Sequence, residues 1–232
     1  MIFRNHLINA LLRSDREALS PAFEEVTLGS GQVLFEPESP VDYVYFPGGA
    51  VLSEVIVLKD GRAVEIATIG VESLAGLLPA LLQTPSRTRL YVQISGSAIR
   101  LPAEKLRARV AESPALLELL LRYLNANIAQ AEQSVACNAV HDVPARLSRW
   151  LLMTEDRTGH RIIPLTQEYL AVMVGVQRTT ISIAATGLKD SGIIRYSRGQ
   201  VEILDRHKLE GRACECYRSI SDAYQKLLKP AS

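Results

Sequence analysis

LTQEYLAVMVGVQRTTISIAATGL, residues 165–188, decides the reading of this chain. A helix-turn-helix needs a small residue where its two helices cross, and Ala171 stands there. Four residues on, the turn needs a residue at positive φ, and Gly175 adopts that conformation without a Cβ penalty. Six residues further, Ile181 is the branched aliphatic that locks the second helix onto the first. Leu170, Val174, Val176 and Ala184 fill the other buried slots, and Thr166 precedes the first helix as its N-cap. The second helix then exposes Gln177, Arg178, Thr179, Ser182 and Thr186, side chains able to hydrogen-bond to base edges and phosphates of duplex DNA. An ordinary helical hairpin with a glycine turn is the bland alternative.

Immediately downstream, Ser191-Gly192 ends the second helix. IIRYS (193–197) and QVEIL (200–204) then flank Arg198-Gly199. Two short β-rich runs around a glycine turn predict a hairpin. In this position it reads as a wing, with Arg195 and Arg198 near the DNA backbone and Lys189 on the last turn of the preceding helix. A C-terminal helix is expected near 206–229.

Upstream, Asp142 and Pro144 predict a helix running from the hinge at 138–143 through Thr154, followed by a loop, EDRTGHR, at 155–161. Ser113 and Pro114 start a helix extending to about Asn138. It carries Leu117, Leu121, Leu124, Ile128, Ala131, Val135 and Asn138 in alternating steps of four and three, which is coiled-coil spacing. Leu116, Leu120 and Tyr123 form a second apolar stripe. Two apolar faces predict one packed on its own domain and one on a second subunit; burial wholly within one domain is the alternative. Before this helix, residues 23–101 read as many short strands punctuated by glycines, with a helix at 102–111 after them. An antiparallel barrel or jelly roll closes such a set. Residues 5–20 predict one amphipathic helix with Leu7, Leu11, Leu12 and Leu19 as its apolar positions.

Charge is divided along the chain. Residues 1–142 carry 12 Lys/Arg against 16 Asp/Glu, and residues 143–232 carry 14 against 9. An acidic front and a basic back suit a sensor joined to a nucleic-acid-binding module. No apolar run approaches the ~20 residues of a membrane span, and the N-terminus lacks the apolar core of a signal peptide. Three cysteines make no disulfide framework, so a cytoplasmic protein is expected.

Barrel, long helix, hinge and winged helix-turn-helix, in that order, resemble the CRP/FNR family of bacterial transcription regulators. The expected fold is accordingly α+β. An N-terminal antiparallel β-barrel (jelly roll), a cyclic-nucleotide-binding-like sensor domain, covers 1–112. A dimerisation helix and hinge cover 113–142, and a winged helix-turn-helix DNA-binding domain covers 143–232. The resemblance implies a homodimer placing two recognition helices in successive major grooves of double-stranded DNA, about 34 Å apart on a near-palindrome. RNA polymerase is a further partner implied by the family, and no membrane is. Arg178 matches the recognition-helix arginine that pairs bidentately with guanine, and Thr180 matches a phosphate-contacting position. Thr179 stands where the family often has glutamate, and Ile183 where cyclic-AMP-type members have arginine. The operator is therefore expected to differ from the usual one.

Cyclic-nucleotide modules use a Gly-Glu pair and an Arg-Ser/Thr pair. Here Ala75-Gly76 occupies the first place and Glu72 comes too early, while Arg87-Thr88 can mimic the second pair, with Arg89 a spare cation. Ala131 and Glu132 face where a purine would be greeted, and a carboxylate there disfavours an anion. Arg87, Thr88, Arg89 and Glu132 are the effector candidates, and cyclic AMP is not the expected ligand.

An iron–sulfur sensor needs four thiolates, mostly near the N-terminus, and the first cysteine is Cys137. The strand region contains neither His nor Cys, which argues against haem and against a metal-dependent cupin enzyme. No nucleophile motif or P-loop points to an enzyme elsewhere. No cofactor or metal is expected. His141 reads as a polar linker residue. Cys214 and Cys216, two apart on one helix, would point to different sides, and Cys137 reads as a packed thiol beside the dimer seam. Two other functions remain open: a constitutive DNA binder whose barrel is a scaffold with a filled interior, and a barrel-based protein-interaction regulator that has lost DNA binding.

Overall fold

The computed structural model describes residues 3–197 and 199–227. The expected N-terminal helix is broken in two. Asn5 Oδ1 accepts from the Ile8 amide at 3.1 Å to start α1 (His6–Ala10), the backbone extends through Leu11 and Leu12, and α2 (Arg13–Leu19) follows. The break lets Leu7, Leu11 and Leu19 reach the core and leaves Leu12 exposed.

Seven strands come next: β1 (Glu24–Leu28), β2 (Val33–Phe35), β3 (Tyr43–Pro47), β4 (Val51–Val57), β5 (Ala63–Ile69), β6 (Arg89–Ile94) and β7 (Gly96–Pro102). They pair antiparallel into a β1-β7-β3 sheet and a β2-β6-β4-β5 sheet. The strand exchange is that of a jelly roll. Among the described residues, hydrogen bonding does not close the two sheets into one ring; packing joins them. Val44, Phe46, Leu52, Leu90, Val92 and Leu101 are buried in a shared core. The apolar stretch 74–82 contains a short helix, α3 (Leu77–Leu82), which follows Gly76 and buries Leu77 and Ala80.

After α4 (Ala103–Glu112), Ser113 starts α5 (Pro114–Val140), its hydroxyl accepting from the Leu116 amide at 3.1 Å and donating to Asp15 Oδ2 at 3.1 Å. Asp15 in turn holds Arg109 at 2.7 Å. One face of α5 buries Leu116, Leu120, Tyr123 and Ala126, and the Tyr123 hydroxyl donates to the Leu74 carbonyl. The opposite face leaves Leu121 and Ile128 each 55% and Val135 71% exposed.

The hinge is shorter than expected, only His141 and Asp142. Asp142 Oδ1 caps α6 (Val143–Thr158) through the Ala145 amide at 2.9 Å. This helix runs a full turn beyond Thr154, so 155–158 of the expected loop are helical, up to Gly159. The extra turn delivers Arg157 to the sheet domain. Its Nε donates to Glu72 Oε1 at 2.7 Å and its Nη2 to Gln130 Oε1 at 2.9 Å, with the guanidinium side chain only 5% exposed. Gly70 permits this approach, because a Cβ there would collide with the Arg157 side chain.

The remaining elements are β8 (Ile162–Ile163), α7 (Gln167–Val174), α8 (Arg178–Asp190), β9 (Ile194–Ser197), β10 (Gln200–Ile203), α9 (Arg206–Arg212) and α10 (Cys216–Leu227). β8 was not expected; it adds an antiparallel third strand beside β10. The single helix expected over 206–229 is two, broken at 213–215, with 228 and 229 outside the described residues. Ile220, Tyr224 and Leu227 of α10 join the core that contains the inner face of α5.

The two domains also touch across the β4-β5-β6 surface. Gln93 Nε2 lies 2.6 Å from Met173 Sδ of α7, Tyr91 and Tyr169 bring their rings to 6.2 Å, and Trp150 Nε1–H donates to Glu65 Oε1 at 3.3 Å. Glu65 is half-buried and also accepts from the Ser53 and Thr68 hydroxyls. Burial raises its pKa above the ordinary 4.5 even though these hydrogen bonds act to lower it.

Two predictions follow from this contact. Arg157→Ala should destabilise by about 3–5 kcal/mol, because it strands the Glu72 carboxylate in a nearly dry site, and urea unfolding measures the loss. A carboxyl whose folded pKa is raised contributes stability below its unfolded value and loses it as pH rises through the folded pKa. From about pH 4.5 upward the urea midpoint of the native protein should therefore fall relative to that of Glu65→Gln; parallel profiles would show that Glu65 titrates normally.

Candidate nucleic-acid interface

The helix-turn-helix has the local chemistry its sequence requires. Thr166 Oγ1 accepts from the Tyr169 amide at 3.3 Å and starts α7. Gly175 ends it at φ +69°, a left-handed conformation that costs any other residue type. Ile181 is fully buried, packed in one core with Leu170, Ala171, Val174 and Ala184, and Val176 lies half-buried against it. Arg146 of α6 is also buried here, its Nη2 donating to the Val174 carbonyl at the end of α7. Its neighbours on the chain gave no hint of that role.

α8 presents its outer face to solvent. Gln177 stands at the N-cap position and Arg178 is the first helical residue; both are exposed, as are Thr179, Thr186 and Lys189. Thr180 is half-buried. Ser182 is also half-buried, its hydroxyl 2.8 Å from Gln167 Oε1 and 3.0 Å from the Arg178 carbonyl, so it ties the two helices together. Ile183 is 74% exposed in the middle of this polar face. An apolar side chain there can meet a thymine methyl, but it offers no hydrogen bond to a base.

The β9–β10 hairpin lies next in the chain, registered Gln200 opposite Ser197 and Ile203 opposite Ile194. Arg195 is exposed and paired with Glu202 across the hairpin at 2.6 Å. Arg198 lies outside the described residues. Behind this face Arg206 holds the C-terminal helices onto α6, reaching Glu155 and Asp156 at 2.8 Å each and the Tyr217 hydroxyl at 2.7 Å.

The effector candidates are placed differently. Arg87 and Glu132 are exposed. The Thr88 hydroxyl donates to Glu54 Oε1 at 2.7 Å, and Arg89 pairs with Glu36 at 2.8 Å. Burial raises the pKa of Glu54. A separate cleft of about 410 Å³, lined by Glu72, Met153, Arg157, Arg206, Tyr217 and Tyr224, opens between α6, α10 and the sheet domain.

Nothing in the sequence spacing joins all three cysteines and His141 in one site, but the structure brings them together. The break between α9 and α10 removes the helical geometry that would have turned Cys214 and Cys216 apart. Cys137 is fully buried, on the side of α5 away from the exposed stripe, with its Sγ 3.5 Å from Cys214 Sγ. The spacing Cys137-x-x-x-His141, one helical turn, was the available sequence signal.

Known proteins resemble this chain both in sequence and in fold. Residues 145–212 match the model of the Crp-like helix-turn-helix domain. The chain is 26% identical over 203 residues to a CRP-like cAMP-activated global transcriptional regulator of Mycobacterium tuberculosis, covering 84% of this chain and 91% of that one. It is 26% identical over 208 residues to the global nitrogen regulator of a Nostoc species, covering 84% and 92%. Its fold is similar to that of FixK2 from Bradyrhizobium japonicum, with a TM-score of 0.71 at 17% identity over 83% of this chain and 98% of that one. A Crp/Fnr-family regulator from Eubacterium rectale gives 0.70 at 16% identity, over 89% and 96%. The chain thus carries a Crp-like helix-turn-helix domain with the outer face of its second helix exposed, and along most of its length it is similar to DNA-binding transcription regulators of the CRP/FNR family.

Proposed function

We propose that this regulator works as a homodimer that reads a near-palindromic operator through Gln177, Arg178, Thr179, Thr180 and Thr186. Lys189, Arg195 and Arg198 are assigned to the backbone. The exposed polar face of α8 carries the reading. Arg178, at the helix N-terminus, is free to extend into a major groove, where a guanidinium matches guanine O6 and N7. Ser182 contributes by aligning the two helices and by its remaining acceptor capacity.

Dimerisation is assigned to the outer stripe of α5. Leu117, Leu121, Ile128 and Val135 are exposed along one face, with Leu124 and Ala131 half-buried beside them. A continuous apolar stripe of this kind marks an interaction surface. Two copies joined there would set two α8 helices on one side of a duplex.

The sheet domain reads best as a scaffold that shapes this helix. Its interior is filled with aliphatic and aromatic side chains, and a phosphate at Thr88 would face the Glu54 carboxyl. The arrangement favours a ligand-independent binder over a cyclic-AMP receptor. RNA polymerase is the further partner this reading implies, in a cytoplasm that keeps the three cysteines reduced.

Selection of sites from random duplex DNA by the purified protein, with no small molecule added, tests the reading directly. Enrichment of a near-palindrome is expected. No enrichment, or a binding constant independent of salt, would sink it, since phosphate contacts impose a steep salt dependence. On the selected site Arg178→Ala should cost ~1–3 kcal/mol and relax preference at one base pair per half-site. Ile128→Glu, which places a charge in the stripe without touching the inner face of α5, should yield monomers by sedimentation and weaken operator binding. A stable dimer from that variant would assign the interface elsewhere.

A further inference from the structure

Four soft donor groups from three separate elements meet beside the hinge. Cys137 sits on the last turn of α5, His141 is the first hinge residue, Cys214 lies in the break between α9 and α10, and Cys216 opens α10, with Glu215 between the two cysteines. Their ligand atoms all lie within 4.8 Å of one another. Cys137 Sγ is 3.5 Å from Cys214 Sγ, and Cys216 Sγ is 3.5 Å from His141 Nδ1. The three thiols are buried and the imidazole half-buried. A tetrahedral zinc ion, with Zn–S near 2.3 Å and Zn–N near 2.0–2.1 Å, spaces its ligand atoms about 3.6–3.8 Å apart. Two of the pairs already have this spacing, and no pair exceeds 4.8 Å, so the set can surround one ion by drawing in about an ångström at most. It is too small to enclose a cluster of several irons and bridging sulfides.

The groups outside this set are arranged for the same purpose. His141 Nε2 lies 3.2 Å from Glu215 Oε2, so Nε2–H donates to the carboxylate and Nδ1 is left as a lone-pair donor turned toward Cys216. Carboxylate–histidine–metal triads have this form, and they fix both the tautomer and the ring plane. Gln133 Nε2 donates to Cys216 Sγ at 3.0 Å, a hydrogen bond that favours a thiolate. A disulfide would require Cys137 and Cys214 to close to about 2.0 Å and would leave Cys216 and the imidazole without a shared purpose.

We propose that Cys137, His141, Cys214 and Cys216 form a binding site for one zinc-type divalent cation, which fastens the C-terminal helices of the DNA-binding domain to the end of α5. Binding replaces the three thiol protons, which leave to solvent, and forms three metal–thiolate bonds and one metal–imidazole bond. The ion spans the two-residue hinge. Its occupancy holds α5 and the α9–α10 break at one separation, and hence α6 and the helix-turn-helix at one angle to the dimer helix.

The test uses the full chain purified under reducing conditions, with metal content measured and metal-free protein titrated with Co²⁺ and then Zn²⁺. One zinc per chain is expected. Co²⁺ should give a thiolate charge-transfer band and the intense visible absorption of tetrahedral coordination, saturating at one equivalent and displaced by Zn²⁺. Zn²⁺ should raise the melting temperature of the native protein and leave that of Cys216→Ser unchanged. Cys214→Ser and Cys216→Ser should each lose the full charge-transfer intensity. Glu215→Gln changes an exposed carboxylate without disturbing the fold, and it should weaken zinc affinity by about 10–100-fold. Three results would each overturn the proposal: no charge-transfer band in the native protein, a spectrum unaltered in both serine variants, or iron with equimolar labile sulfide.

Discussion

Everything in this molecule is arranged around the two faces of α5. Its inner face is held down by Leu116, Leu120 and Tyr123, each at most 2% exposed, with the tyrosine hydroxyl satisfied by the Leu74 carbonyl. Fully burying side chains of this size contributes roughly 1.5–3 kcal/mol each. That is enough to fix the helix against β5, α4 and α10. Once the inner face is fixed, the helical period places Leu117, Leu121, Ile128 and Val135 outward, whatever the solvent cost. The same helix carries Cys137 and leads directly into the hinge, so its position sets where the DNA-binding domain begins.

Beyond the hinge, the DNA-binding domain rests on its own sheet domain through apolar packing, in which Val51 and Ile94 share a core with Leu147 and Trp150, and through buried polar contacts. Arg157 lies between Glu72 and Gln130, and Glu65 collects Trp150 with two hydroxyls from its own sheet. Buried ionic and polar contacts add little net stability compared with apolar packing, but they tolerate few alternative geometries. They define one docked arrangement in which α7 faces the sheet and α8 faces away.

Local sequence chemistry was a good guide wherever a helix end or a turn decides the outcome. Ser113, Asp142 and Thr166 are all N-caps in the structure, Gly175 takes positive φ, and the buried slots of the helix-turn-helix are filled by the residues expected to fill them. The errors lie where long-range contacts override a local pattern. Residues 155–158 read as a polar loop, yet they continue α6 because Arg157 finds Glu72 across the domain boundary. Leu11 and Leu12 read as helical, yet the chain breaks there so that Leu11 and Leu19 can both reach one core.

The sequence by itself determined the kind of protein this is. The period of its apolar residues, its caps and its glycine turn are short-range constraints, and together they specify jelly-roll strands, a two-faced helix and a winged DNA-reading unit. Tertiary structure alone decided what the scattered polar and sulfur-bearing residues do. Thr88 and Arg89 turn to Glu54 and Glu36, and Arg146 supports the end of α7. Three cysteines and a histidine, separated by up to 79 positions between Cys137 and Cys216, converge on one point. Such convergence depends on the relative placement of helices that meet only after the cores have formed, and no local rule in the chain encodes it.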